Sequence, residues 1–432
     1  MSKQIDLNEK KIESGSFSES GFARGSVENN TESAVSRRDF MRIGATYGIT
    51  ATILAAGTLG ATYSPNALAQ AASRFSRERA RNRPKHTFRL GTVYAASQHD
   101  IQRAGVWDFV TDLENRTDGE IRVDIVDSGS LCAETVCAQR AQQAVVDIFS
   151  SSTQNAASAM PWLNALDFPF MFQSSGQIYD FLFNPESERL FRKAYRERHG
   201  MEMLFSTAEL RGVYMGRNFR DREPVTTVAQ LEGTRIRATP TQFGQEALKL
   251  LGMNPVPVAW TETLDAMRSG LVDGMETWAG AAAAFNMAPV ITKLVKLNFI
   301  PGTQHVAIRS QALESMEDSL QEAVLESAYH TQATVMYNLE AARYALIGDM
   351  DNPAPGTIYE RSGTEINTLS TEALAEAEQI AHPSNAAYNE LHDMLNDVAG
   401  FDVYDQMLPV ARRFPHDQPA INVVPRRWWK SA

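Results

Sequence analysis

The chain has 432 residues, 43% hydrophobic and 22% charged, with a formal net charge of −11. The acidic balance argues against nucleic acid as a main partner, and the length allows two domains of ordinary size. With two cysteines, Cys132 and Cys137, and scattered histidines, a zinc site would lack ligands.

Residues 1–35 form a polar leader without a core pattern. Ser36-Arg37-Arg38-Asp39-Phe40-Met41, a weakly apolar stretch and Ala67-Leu68-Ala69 then read as a twin-arginine export signal. Cleavage is expected near Ala69-Gln70, with the mature protein in the periplasm. Gly44, Gly48, Gly57 and Gly60 make the stretch from Ile43 to Tyr63 too polar for a membrane span, which needs about 20 predominantly apolar residues. The arginine-rich arm from Arg74 to Arg89 reads as a solvated mature N-terminus. In an oxidising compartment the two cysteines can close a small loop, so a local disulfide is expected, with free thiols the alternative.

From His86 the pattern changes. Residues 87–93 alternate like a strand, 101–115 have near-helical apolar spacing, and Ile121, Val123 and Ile125 alternate through a second strand. Residues 137–144 read as a helix and 145–149 as a third, buried strand. Strand and helix keep alternating, which predicts an α/β fold with a mainly parallel sheet. A second unit begins near Arg211, with strands at 213–215 and 235–238 and a helix from Phe243 to Leu251. From Ser315 to about Ile347 nothing breaks a single long helix, and Ser315-Met316-Glu317-Asp318 offers a capping-box start. Residues 370–399 predict a helix pair broken by Pro383. After Gly400 the chain reads as a tail packed over the surface, its tryptophans filling a groove.

Four stretches in this order carry a resemblance. They are Asp118-Gly119-Glu120-Ile121-Arg122-Val123 with Gly129-Ser130-Leu131, then Val145 to Ile148 leading into Leu166-Asp167-Phe168-Pro169-Phe170, then Leu231-Glu232-Gly233-Thr234-Arg235-Ile236-Arg237, and finally Leu251 to Pro257 running to the Val272-Asp273-Gly274-Met275-Glu276 segment. Together they resemble the periplasmic solute-binding proteins of TRAP transporters, the DctP-like family, over about residues 86–395. The resemblance implies two α/β domains with a hinge, a central cleft and a long helix spanning both, a periplasmic-binding-protein-like fold. The boundaries expected are 86–208 plus about 304–342 for the first domain and 209–303 plus about 343–400 for the second. The signal occupies 1–69 and a C-terminal extension 401–432. The implied function is capture of a small organic acid by hinge closure and delivery to the membrane subunits of a TRAP permease, by a protein expected to be a monomer without catalysis or cofactor.

In that family an arginine on the strand after the short Leu-x-Gly helix holds the ligand carboxylate, and that position here is Arg237. A guanidinium makes two parallel charge-assisted hydrogen bonds to a carboxylate. Arg235 is expected on the opposite face, so that only one of the pair enters the cleft. Arg211 matches a second arginine of many members, with Arg217 the weaker substitute. Trp260 lies where the family places an aromatic ring, and Glu276, Thr277 and Trp278 are loop residues positioned to reach the ligand, Glu276 by orienting an arginine, accepting from a ligand hydroxyl or ligating a cation. Some relatives that bind 2-oxo acids hold a metal at an adjacent Glu-Trp pair. Here Thr277 separates Glu276 from Trp278, so no metal is expected. Gln98 and Ser152, in loops after the first and third strands, are the first-domain candidates. Two rival readings stay open: an input protein for a membrane sensor, and an exported enzyme, for which no H-E-x-x-H, P-loop, G-x-G-x-x-G or G-x-S-x-G pattern is present.

Overall fold

The computed structural model describes residues 83–95 and 105–430. The export signal, most of the arginine-rich arm and the loop carrying Gln98 lie outside these residues. The strands, numbered in chain order, are β1 (His86–Gly91), β2 (Ile121–Val126), β3 (Ile148–Ser152), β4 (Met201–Leu210), β5 (Gly212–Met215), β6 (Arg235–Ala238), β7 (Asn254–Pro257), β8 (Gly274–Thr277), β9 (Lys293–Lys296), β10 (Pro301–Arg309) and β11 (Glu365–Thr368). They form a five-stranded sheet ordered β2-β1-β3-β10-β4 and a six-stranded sheet ordered β11-β9-β5-β8-β6-β7. Helices flank both sheets, giving two α/β lobes.

The sheets are mixed, which amends the expectation of mainly parallel pairing. In the first sheet β10 runs antiparallel to both β3 and β4, and in the second β5 runs antiparallel to both β8 and β9. The reason is the route of the chain. A parallel pair needs a crossover connection, usually a helix. Here β4 passes straight into β5 through Arg211, and β10 returns to the first sheet soon after β9. These strands cross between lobes without such a connection and enter against the prevailing direction.

Residues on β5 show why the second sheet needs cover on both faces. Val213 and Met215 join one core with Ile236 and Val295, while Tyr214 joins the opposite core with Met275 and Leu294. Side chains alternate along a strand, so a strand apolar at every position must be covered twice.

The third strand begins later than its apolar run suggests. Val145 is 47% exposed and Ala144 has a positive φ, so the chain is still turning where the strand was expected. The strand itself contains Ser150, Ser151 and Ser152, all buried. Their hydroxyls are satisfied locally: Gln304 donates to Ser150, Ser151 donates to the Glu134 carbonyl, and Ser152 caps the next helix by accepting from the Asn155 N–H. The disulfide between Cys132 and Cys137 is formed. It lies against Gly91, where an added Cβ would approach Cys132 Sγ to 3.2 Å.

The long helix runs from Asp318 to Ala342 and continues through a π-helical turn, Arg343–Ile347, to Gly348 at φ 82°. A separate short helix, Ser310–Glu314, precedes it. The expected capping box is not made, because Glu317 is the N-cap and makes no side-chain cap bond. The helix does span both lobes. Leu320, Val324, Ala328 and Met336 pack in the first-lobe core, whereas Ala342 and Ile347 pack in the second. Gln332 fastens it to β4 by exchanging hydrogen bonds with the Ser206 backbone.

The helices Thr371–Ile380 and Asn389–Ala399 flank Pro383 as expected. The tail packs over the first lobe. Trp428 is buried with the Arg192 guanidinium 4.1 Å from its ring centroid, Arg427 pairs with Glu326, and Arg426 donates to Asp180 at 2.6 Å.

Candidate functional site

The twelve residues that line one cavity come from both lobes and include six of the predicted positions: Arg211, Arg237, Trp260, Thr277, Trp278 and Ser152. The cavity volume is about 10 Å³, space for roughly one water molecule.

The two buried arginines differ in how fully they are used. Arg211 follows the end of β4 and every nitrogen of its guanidinium is engaged. Nε donates to the Pro301 carbonyl at 3.2 Å, Nη2 to Gln154 Oε1 at 2.9 Å, and Nη1 to Glu276 Oε2. Its Cζ lies 4.6 Å from the Trp278 ring centroid. Arg237, on β6, donates Nε to the Val258 carbonyl at 2.9 Å and lies 3.8 Å from Glu276 Oε1. Its Nη1 and Nη2 are buried and find no hydrogen-bond partner among the described residues. Burial lowers the Arg237 pKa to about 10, against the pull of Glu276 and with the nearby Arg211 charge adding to the drop. The group therefore stays protonated at neutral pH.

Glu276 on β8 ties the arginines together. One oxygen accepts from Arg211, and the other accepts from the Thr239 N–H at 2.6 Å and the Thr239 hydroxyl at 2.8 Å. These bonds hold the Arg211 guanidinium in place. Arg235 stays outside, paired with Asp273 at 2.8 Å and donating to the Gly270 carbonyl. The expectation of opposite faces for Arg235 and Arg237 is corrected. Residues two apart on a strand share a face, so depth along β6 separates the two arginines, Arg235 standing at the rim. Arg217 is also exposed.

Thr277 ends β8 and Trp278 precedes the helix Ala279–Ala284. Thr277 Oγ1 and Trp278 Nε1 are buried and unpartnered among the described residues. The Trp278 ring lies so close to Gly302 that a Cβ there would come within 2.8 Å of it, which requires glycine at the start of β10. Trp260 is half-buried, with the Arg237 Cζ 5.2 Å from its ring centroid and Phe285 packed edge-on at 5.4 Å. Ser152 reaches the cavity, but its hydroxyl is spent on the helix cap.

Several lining residues escaped the sequence reading. Glu134 lies inside the disulfide loop and Asn155 in the short helix Thr153–Ala156 after β3, while Gln304 sits on the returning β10. The spacing of Cys132 and Cys137 marked their segment but did not show which residue between them turns inward. Burial raises the Glu134 pKa, while bonds from Gln304, Asn155 and the Ser152 N–H, and the Arg237 charge, oppose the rise.

A buried chain of bonds joins this site to the opposite lobe. Gln154 donates to Asp167 and to the Pro301 carbonyl, and the Thr241 hydroxyl donates to Asp167 at 2.7 Å. Burial lifts the Asp167 pKa to about 7, despite the opposing bonds from Thr241 and Gln154. The folded state thus keeps this proton where the unfolded chain has lost it. The stabilisation is complete below about pH 4 and is lost as pH rises to about 7. Denaturant unfolding of wild type and Asp167→Asn at pH 4 and pH 8 should show the stability difference moving in the variant's favour by on the order of 2–4 kcal/mol. A difference that does not change with pH would contradict this assignment.

Two mixed sheets joined by crossing strands, with a polar cavity between them and a long helix across both, define a two-lobed α/β binding-protein architecture. The family model for bacterial extracellular solute-binding proteins of family 7, DctP, matches residues 92–390, and the chain belongs to that family, the solute-binding proteins of TRAP transporters. It is a family of binding receptors rather than an enzyme class. The 2,3-diketo-L-gulonate-binding periplasmic protein YiaO of Escherichia coli K12 is 24% identical over 276 residues, 60% of this chain and 81% of that protein. A TRAP periplasmic solute-binding protein from Roseobacter denitrificans with bound β-D-glucuronate has a TM-score of 0.61 at 20% identity, covering 74% of this chain and 98% of that one. Another from Desulfovibrio salexigens with bound orotic acid has a TM-score of 0.63 at 15% identity, covering 75% and 99%.

Proposed function

We propose that this protein is the periplasmic receptor of a TRAP-type secondary transporter, and that it captures a small organic acid between its lobes with Arg237 clamping the carboxylate. The observation that carries the reading is the pair of buried, unpartnered Arg237 amino groups beside a fully engaged Arg211. A buried cation whose two amino groups lack hydrogen-bond acceptors is costly unless an anion receives them. The acids named for the relatives are of the kind such a fork accepts. Closure pivots where β4 leads into β5 and β9 into β10, close to the domain boundaries expected near 208 and 303. Ligand then shifts the lobes toward the closed state by its differential affinity for that state. Export by the twin-arginine route, a monomeric receptor, a permease of membrane subunits as partner and absence of catalysis complete the reading.

Thermal unfolding of the segment Gln70–Ala432 against a panel of small acids tests it. At a ligand concentration about 1,000 times the dissociation constant, binding adds roughly 4 kcal/mol, enough to raise the melting temperature by several degrees. Stabilisation confined to acids is the expected result. A flat response from protein freed of co-purified ligand would contradict it.

A further inference from the structure

The cavity has two walls of opposite hydrogen-bonding character. On the second-lobe wall the unspent groups are Arg237 Nη1 and Nη2, Trp278 Nε1 and Thr277 Oγ1. The arginine and indole groups can only donate, and the hydroxyl can donate as well. On the first-lobe wall stands the buried carboxylate of Glu134. One of its oxygens accepts from Gln304 Nε2 at 2.7 Å and from the Ser152 N–H at 3.3 Å. The other accepts from Asn155 Nδ2 at 2.6 Å and has a lone pair to spare. Among the described residues no cation lies within ion-pair distance of it, although Arg237 acts on it from further away.

We propose that Glu134 is a specificity-determining residue: it accepts a hydrogen bond from a hydroxyl or ammonium at the far end of a ligand whose carboxylate lies on Arg237, and it rejects a second carboxylate. The inference rests on the carboxylate-receptor reading and adds the chemistry of the ligand's other end. A second carboxylate beside Glu134 would place two like charges in a buried site, where they cannot both stay ionised at low cost. A plain fatty acid would leave the spare acceptor of Glu134 without a partner. Because the donors belong to one lobe and Glu134 to the other, a ligand with an acid at one end and a donor at the other ties the lobes together, whereas a plain acid engages a single wall.

Isothermal titration with D-glucuronate, 4-aminobutyrate, glutarate and butyrate tests this, using wild type and Glu134→Gln, each unfolded and refolded to remove co-purified ligand. The expected result is that glucuronate or 4-aminobutyrate binds wild type at least tenfold more tightly than glutarate and butyrate, the tighter one showing whether the donor is hydroxyl or ammonium. In Glu134→Gln the preference over glutarate should shrink at least tenfold. Glutarate or butyrate binding wild type as tightly would overturn the role of Glu134 and leave the receptor reading standing, as would a preference unchanged in the variant. The comparison of ligands on wild type decides this even if the variant fails to refold. Binding of none of the four would remove the receptor reading for these acids, and this inference with it.

Discussion

Arg237→Ala is expected to weaken binding of the acid ligand by about 2–5 kcal/mol, the range for truncating one partner of a buried, hydrogen-bonded charge pair. That is a loss of roughly 30-fold to several thousand-fold in affinity. The alanine leaves a ligand carboxylate buried without a countercharge and removes both arms of the fork. The free protein should change little in stability, because the only hydrogen bond lost is the one to the Val258 carbonyl and Glu276 keeps Arg211. Arg237→Lys should recover part of the affinity, since an ammonium restores the charge but not the planar fork. Calorimetric titration reads these differences directly, and equal affinities for wild type and the alanine variant would remove Arg237 from the site.

Arg211→Ala should do the opposite, with the main damage falling on the fold. The substitution leaves Glu276 buried with Arg237 at 3.8 Å as its remaining cation and strands Gln154 Oε1, while the Pro301 carbonyl keeps only its bond from Gln154. Breaking a buried pair from one side costs about 3–5 kcal/mol, most of it the uncompensated charge left behind. Denaturant unfolding should show that loss as a lower midpoint at an unchanged slope. Replacing both partners, as in Arg211→Met with Glu276→Leu, should recover much of it, because no buried charge is then abandoned. Full stability in the single variant would mean that Glu276 finds another partner and that the chain of bonds through Gln154 is dispensable.

These contrasting outcomes concern two residues that look alike in the linear chain. Both arginines precede or occupy strands of the second lobe, and the resemblance marks both as cleft candidates. What separates them is a set of partners far away along the chain, Glu276 at 65 and Gln154 at 57 residues from Arg211. Glu134 is a parallel case. It reads as one charged residue in a cysteine-flanked loop until Gln304, 170 residues on, is placed against it.

Much of the architecture is legible without coordinates because its signals are local. Alternation around Ile121 and Val123, the unbroken run before Gly348, Pro383 between two helices and the close spacing of Cys132 and Cys137 all act through neighbouring residues, and each yields the element expected. Where a local signal misled, the cause was longer in range. The apolar start of β3 was read too early because distant partners satisfy the serines of the real strand, and the mixed sheets follow from strands that cross between lobes. The sequence by itself determined the family, the two α/β units, the long helix and half of the cavity-lining residues, because periodicity, turn chemistry and motif order are properties of adjacent residues. Only the tertiary structure decided which arginine is spent and which is free, that Ser152 caps a helix, and that Glu134 faces the site, because each depends on hydrogen bonds closed between segments that fold together from far apart.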